Sequence, residues 1–492
     1  MPDNHIETPE WVRDAVFYQI FPDRFALSKS LQKPHYLETW DSPPTTHGYK
    51  GGDLIGVVEC LDYLVDLGIN ALYFNPVFAS ASNHRYHTYD YYNVDPLLGG
   101  NAALRTLLDA AHARGIRVIL DAVLNHASRG FFQFHDIMEN GPHSPYIDWF
   151  NIKGWPLHAY ETNLPPNYDA WWNLHALPKF NVANPHVREY LLGVSEFWVK
   201  FGIDGWRLDV PGEIKDDTFW QEFRQRVKAA NPEAYIVGEI WHDARHWLQG
   251  DQFDAVMNYL LTKLCLEFFT TRHIDPRYVQ GTSLWPVRDI QGAEFAQEID
   301  ALLKLYPREV TEVQLNLLGS HDTARFVTTA GNDPAALALA TLFQMVYPGA
   351  PCVYYGDEIG MAGGKDPECR GAFPWDPAVW HNDLRDYIKR AIALRHAHPA
   401  LRRGDYRSLY GEGSVYALGR SLEDDMVLVA FNAGTTPQDA IIPVVGFASN
   451  GVTLGDAWGS DRYTVTDGNI RVHLPAQSAL VLEAIQGGSF NL

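Results

Sequence analysis

Cysteine is scarce in this chain: four residues among 492 (Cys60, Cys265, Cys352 and Cys369), none in a CxxC pair. Such scattering argues against a disulfide framework and suits reduced thiols. Positive charge is also in short supply, with 39 Lys and Arg against 60 Asp and Glu, a net −21. No basic run offsets that balance, which argues against nucleic acid or an anionic membrane as partner. No apolar run approaches the ~18 residues that a membrane helix needs. The opening MPDNHIETPEWVRD has no basic region followed by an apolar stretch, so the expectation is a cytoplasmic protein without a signal peptide. A GxSxG elbow is missing, as is a Gly-rich phosphate loop, since QIFPDR follows the first apolar run and Lys50–Asp53 (KGGD) has the wrong spacing. Serine-hydrolase and nucleotide-binding readings lose their support with them. Internal repeats and low-complexity tracts are absent too.

What the chain does have is apolar content of 46% and aromatic content of 13%, enough for a large core. Several aromatics sit in polar stretches such as Tyr168-Asp169-Ala170-Trp171-Trp172-Asn173. Aromatic faces in such places suit ligands with C–H faces, notably sugar rings, although each could equally pack a loop onto the core. Short β-like runs alternate with helical ones: Val16–Ile20, Asn70–Val77, Ile116–Val123, Ile203–Asp209, Tyr235–Ile240, Ala255–Tyr259, Val313–Gly319 and Cys352–Tyr355. Eight strands with mostly helical connections predict an α/β fold, a (β/α)8 TIM barrel, over residues 1–126 and 183–402. Residues 127–182, rich in Pro, Asn, His and Trp and without a sustained helical period, predict a small inserted domain after strand three. From residue 403 to 492, short alternating runs with Gly and Asn-Ala-Gly turns predict a C-terminal antiparallel β-sandwich.

In a (β/α)8 barrel the C-terminal ends of the strands face one site. Those ends carry Tyr86 and His87 (in the long loop after strand two), Asp121, Asn125, His126, Arg207, Asp209, Glu239, His321 and Asp322. Cleaving an acetal needs one carboxylate to attack the anomeric carbon and one carboxylic acid to protonate the leaving oxygen. Asp209, two residues after Arg207, suits the first task, because the arginine favours its charged form. Glu239, after the apolar Ile236-Val237 and before Trp241, suits the second if burial keeps it protonated. Asp322 and His321 suit sugar hydroxyls and a positively charged transition state. Each residue alone also reads as a cap or ion pair; it is their joint occurrence at strand ends that points to chemistry. His242 and His246 stand at i, i+4, but no third ligand follows, so a surface helix is the expectation there.

Four segments, Asp121–His126 (DAVLNH), Gly205–Asp209 (GWRLD), Gly238–Trp241 (GEIW) and Leu318–Asp322 (LGSHD), resemble in order and spacing the signature regions of the alpha-amylase family, glycoside hydrolase family 13. The resemblance implies the barrel, inserted domain and sandwich just described. It also implies a retaining mechanism with Asp209 as nucleophile, Glu239 as general acid/base and Asp322 as transition-state stabiliser. Tyr86, Asn125, His126, Arg207, Trp241 and His321 become substrate contacts. Leu177–Asn181 (LPKFN), Glu239–Ala244 (EIWHDA), Gly250–Tyr259 and Tyr355–Met361 are similar to the neopullulanase and cyclomaltodextrinase branch. That implies an α-glucan substrate (maltooligosaccharide, cyclodextrin, pullulan or starch) and no required cofactor. Two departures stand out. The barrel begins almost at once, without the branch's N-terminal dimerisation domain, so a monomer or weak homo-oligomer is expected. Val210–Glu213 (VPGE) replaces the usual Ala-Asn before the glutamate, leaving transglycosylation as an alternative to hydrolysis. A non-catalytic sugar-binding protein is the remaining alternative. For calcium, Gly52 and Asp53 match one half of a loop site of the branch, but Ala26–Lys33 lacks the Asn/Asp cluster of the other half.

Overall fold

The computed structural model describes residues 6–270 and 273–484. Ten strands precede the C-terminal region: β1 (Phe17–Ile20), β2 (Ala71–Phe74), the hairpin β3 (Phe78–Ser80) and β4 (Thr88–Val94), β5 (Arg117–Ala122), β6 (Gly205–Leu208), β7 (Tyr235–Gly238), β8 (Ala255–Val256), β9 (Leu315–Leu317) and β10 (Ala350–Tyr354). Apart from the hairpin, these are the eight parallel strands of a (β/α)8 barrel-type sheet. The chain divides into two compact units.

The first unit comprises residues 6–11, 17–257 and 370–374. In it six parallel strands lie in the order β8-β7-β6-β5-β2-β1. These strands are buried almost throughout, as strands covered on both faces must be. The helix Gly100–His112 buries Leu104, Leu107, Leu108 and Ala111, one apolar stripe at 3.6-residue spacing. The helix Pro185–Phe201 is bounded at both ends by local chemistry: Asn184 caps the N–H of His186, Pro185 opens the first turn, and Gly202 closes it in the left-handed region (φ 119°). At Gly205 a Cβ would lie 2.2 Å from the Tyr235 carbonyl oxygen, so only glycine lets β6 sit this close to β7.

Within 127–182 a helix forms over Phe132–Asn140, where the sequence shows no sustained period. Two turns with only Phe134 and Ile137 buried are too short to print one. Isolated bridges pair His126 with Lys179, Phe150 with Phe180, Ile152 with Tyr168, and Ala170 with Pro178. The segment Leu177–Asn181 therefore returns to lie beside Asn125–Ala127, where Phe180 N donates to Asn125 O (3.1 Å) and Ala127 N to Pro178 O (3.0 Å).

The second unit comprises residues 12–16, 258–369 and 375–484 of the described chain. It holds the parallel pair β9 and β10. Tyr259, read from the sequence as the end of a strand, instead opens the helix Tyr259–Phe269, because the Asn258 side chain caps the N–H of Leu261. Eight further strands follow: β11 (Asp405–Glu412), β12 (Val415–Leu422), β13 (Asp425–Asn432), β14 (Gln438–Pro443), β15 (Thr453–Asp456), β16 (Arg462–Thr464), β17 (Asn469–Leu474) and β18 (Ser478–Ala484). Six form an antiparallel sheet in the order β11-β12-β13-β18-β15-β16, and β14 pairs with β17. Val415, Ala417, Leu428 and Ala430 of the larger sheet share a core with Ile442, Ile470 and Val472 of the smaller one, the expected antiparallel sandwich.

Candidate active site

Register puts the first unit's chemistry together. Asp121 on β5 lies opposite Arg207 on β6, and Arg207 lies opposite Val237 on β7, two residues before Glu239. Arg207 is fully buried, and its guanidinium meets three carboxylates. Nη1 donates to Asp121 (2.9 and 3.0 Å) and to Asp209 Oδ1 (3.0 Å). Nη2 lies 2.9 Å from Glu239 Oε2 as an ion pair whose angle falls short of a well-aligned hydrogen bond. The sequence pairs Arg207 with Asp209 alone; the sharing with Asp121 and Glu239 is a property of the register.

Asp121 accepts from Tyr73 Oη (3.0 Å) and Tyr86 Oη (2.8 Å). Burial pushes its carboxyl up to about 6, against the opposing pull of Arg207 and the Tyr86 hydrogen bond. Tyr86, distant in sequence, is brought in by this bond and by Asn75 Nδ2, which donates to its hydroxyl (3.1 Å). Tyr73 and Asn75 escape the sequence reading; their signal is only their place at the end of an apolar strand.

Glu239 is held from both sides: Oε2 accepts from the N–H of Val210 (3.0 Å), and Oε1 from the indole Nε1 of Trp241 (3.0 Å). Val210, the residue after Asp209, sits at φ 36°, ψ 50°, a left-handed conformation that a β-branched residue rarely adopts. This strained turn aims its N–H at Glu239, and strain of this kind collects at functional sites. One residue thus joins the Asp209 strand end to the Glu239 carboxylate.

His126, buried beside them in sequence, takes a 3.2 Å bond from Asn125 Nδ2 at its Nδ1. Burial lowers its pKa to about 3, so the ring is a neutral polar wall at physiological pH. Its imidazole stacks on Trp171 at 5.2 Å and 13°.

In the second unit, β9 runs into the turn that carries His321 and Asp322. His321 is buried, Asp322 is partly exposed, and His321 Nε2 lies 3.2 Å from Asp322 Oδ2. The turn is pinned by Asp322 N donating to Ser320 Oγ (3.2 Å) and Ser320 N to Thr323 Oγ1 (3.0 Å). Three residues on, Arg325 donates to Tyr355 O and Asp357 Oδ1 (both 2.8 Å).

Gly52 and Asp53 do not suit a calcium ion. Both Asp53 oxygens are engaged: Oδ1 accepts from Gly56 N (2.7 Å), Oδ2 from Ser28 N (3.0 Å) and Ser28 Oγ (2.9 Å). The positive charge against this buried carboxylate is the ammonium of Lys33, 2.7 Å from Oδ2. His242 lies in a bend and His246 on a run of turns, not on the expected helix. His246 Nε2 lies 2.8 Å from the exposed Asp217 side chain, and the two histidines share no helical face.

Carboxylates sharing one arginine at the ends of adjacent parallel strands, beside a tyrosine and a neutral histidine, are the groups that a carboxylate-based glycoside hydrolase needs. Comparison with known proteins sharpens this. The model of the alpha amylase catalytic domain matches residues 19–397, and the chain belongs to the alpha-amylase family. A cyclomaltodextrinase of Geobacillus thermopakistaniensis is 43% identical over 484 residues, 98% of this chain and 78% of that protein. Neopullulanase 2 of Thermoactinomyces vulgaris is 42% identical over 96% of this chain and 78% of its own length. The solved structure of a Nostoc punctiforme debranching enzyme superposes with a TM-score of 0.90 at 51% identity, covering 97% of this chain and 99% of that one. Among the described residues no helix is long and apolar enough to cross a membrane.

Proposed function

We propose that this chain hydrolyses α-1,4-glucosidic bonds of maltooligosaccharides and cyclodextrins with retention of configuration. The observation that carries this reading is Arg207, whose single guanidinium serves both Asp209 and Glu239. In the first step an Asp209 oxygen attacks the anomeric carbon and the glycosidic C–O bond breaks. The leaving oxygen takes the proton of Glu239. Glu239 then removes a proton from water, which displaces Asp209 from the glycosyl-enzyme ester and restores both carboxyls. Asp322 stabilises the positive charge that develops on the sugar ring. Tyr86 and the neutral His126, with Asn125, Trp241 and His321, contact the sugar. No step uses a metal ion or other cofactor. The enzyme works in the cytoplasm, a setting that suits four cysteines kept as thiols.

A second reading shares this machinery. Its support is the 51% identity to a protein named a debranching enzyme, and it adds cleavage of α-1,6 bonds. The experiment compares initial rates on β-cyclodextrin, soluble starch and pullulan, with products separated by chromatography. Fast ring opening to short products supports the first reading. Preferential release of maltotriose from pullulan supports the second. No reducing-sugar release from any of them overturns both.

A further inference from the structure

We infer that Trp172 is a stacking platform for a glucosyl unit lying beyond the cleavage position, and that it makes long glucan chains better substrates than short ones; this rests on the α-glucan reading above. Three rings form a column: His126 against Trp171 (5.2 Å, 13°) and Trp171 against Trp172 (4.4 Å, 12°). The column starts at the strand end that follows Asp121 and finishes in solvent, where Trp172 is 77% exposed. Its inner face is covered by Trp171, and the opposite face of the indole is left open. Trp172 is not an isolated exposed ring: stacked on Trp171, it carries the aromatic column out into solvent.

The backbone adds a second observation. Trp172 (φ 51°) and Asn173 (φ 56°) are consecutive left-handed residues, and Trp172 is too bulky to favour that region. The loop is clamped on both sides: Trp171 N donates to Leu177 O (3.0 Å), Leu174 N to Trp171 O (2.9 Å), and Ala170 bridges to Pro178. A relaxed loop would let the indole fold down; this one holds it out, parallel to Trp171. Tyr160 makes the contrast. It is also exposed, but Arg129 covers its ring at 4.2 Å. The partner that fits an open indole face at the end of a column rooted beside the carboxylates is the C–H face of a pyranose, and continuity with the site selects the substrate's own chain.

The test measures kcat and KM on maltotriose through maltoheptaose for wild type, Trp172→Asn and Trp172→Phe. Asparagine tolerates the left-handed backbone, so Trp172→Asn removes the ring without straining the turn. The expected result is a rise of about three- to tenfold in KM for maltoheptaose with kcat unchanged, and little change for maltotriose. Trp172→Phe should recover most of the loss. Unchanged chain-length preference in Trp172→Asn overturns the inference. So does equal loss on all substrates, which marks a loop-structural role, or a dimer that Trp172→Asn dissociates without altering the preference. If wild type itself hydrolyses no oligosaccharide, the functional reading fails first, and that outcome is distinct from all of these.

Discussion

Asp204 and Asp209 flank the same four-residue strand, and each faces an arginine, yet their surroundings differ. Asp204, at the start of β6, is met by Arg117 Nη1 (2.8 Å), His112 Nε2 (2.7 Å) and the N–H of Val118 (2.8 Å). Burial alone would raise its pKa; the His112 and Arg117 contacts outweigh that and hold the carboxyl below its usual range. Asp254, just before β8, has a similar set of contacts: Arg224 (2.7 Å), Lys228 (2.9 Å) and the N–H of Ile236 (2.8 Å). At the other end of β6 the cation is shared, for one guanidinium meets Asp209, Asp121 and Glu239. Asp204 and Asp254 each have cationic side chains to themselves, an arrangement that suits a structural ion pair. Three carboxylates gathered on one guanidinium concentrate negative charge, which suits the positively charged transition state of the proposed reaction.

The largest effect expected from this contrast is catalytic. Asp209→Asn and Glu239→Gln should each lower kcat by about 10⁴-fold or more with the circular dichroism unchanged. Asp204→Asn should keep kcat within about threefold of wild type. Comparable losses at Asp204 and Asp209 would erase the distinction between the two ends of the strand.

Next comes the shared cation. Arg207→Met leaves three neighbouring carboxylates without it and should lower the unfolding free energy in urea by about 3–5 kcal/mol. Arg207→Lys should recover only part, because one ammonium cannot span three carboxylates. Lys33→Met poses the same question away from the site and should lower stability by about 3 kcal/mol, since it strips a buried carboxylate of its cation. Wild type should melt at the same temperature with EDTA or with added calcium; a calcium-dependent rise would mean that an ion competes with Lys33 for Asp53.

The smallest effect is on pH dependence. With its pKa near 3 in the fold against an ordinary 6.5, His126 stays neutral in the folded chain while the unfolded chain takes up its proton. Stability is therefore full above pH 6.5 and is lost as the pH falls towards 3, by about 2 kcal/mol at pH 5. Asp204 has the same sign at lower pH: its contribution is present above its ordinary value near 3.8 and disappears as the pH falls through its lowered folded value. His126→Gln should flatten the loss between pH 6.5 and 5, and an unchanged slope would remove His126 as its source.

Much of the architecture was legible because it is local. Strands buried on both faces print continuous Val, Ile and Leu runs, and Gly68, Gly115 and Gly202 punctuate the helices between them. In the sandwich, the strands around Val415, Met426, Arg471 and Leu480 were readable, whereas β11, β14, β15 and β16 were not. β16 (Arg462–Thr464), for instance, buries none of its three residues, so no apolar period marks it. The helix Phe132–Asn140 was too short to show its own, and the turns around His242 and His246 imitate helical spacing without forming a helix.

The site divides in the same way. Residue type and strand-end position single out Asp209, Glu239 and Arg207 in the sequence, because an arginine and carboxylates at the C-terminal ends of parallel strands are a local pattern. Only the tertiary structure decided that Arg207 serves three carboxylates, since that follows from strand register between residues 86 positions apart. It alone decided that Val210 turns its N–H onto Glu239, that Lys33 answers Asp53, and that His126, Trp171 and Trp172 stack in one column. Sequence determines which groups a chain owns and where its strands end. Which charge faces which is settled by packing, because electrostatic and stacking contacts depend on distances that no spacing along the chain encodes.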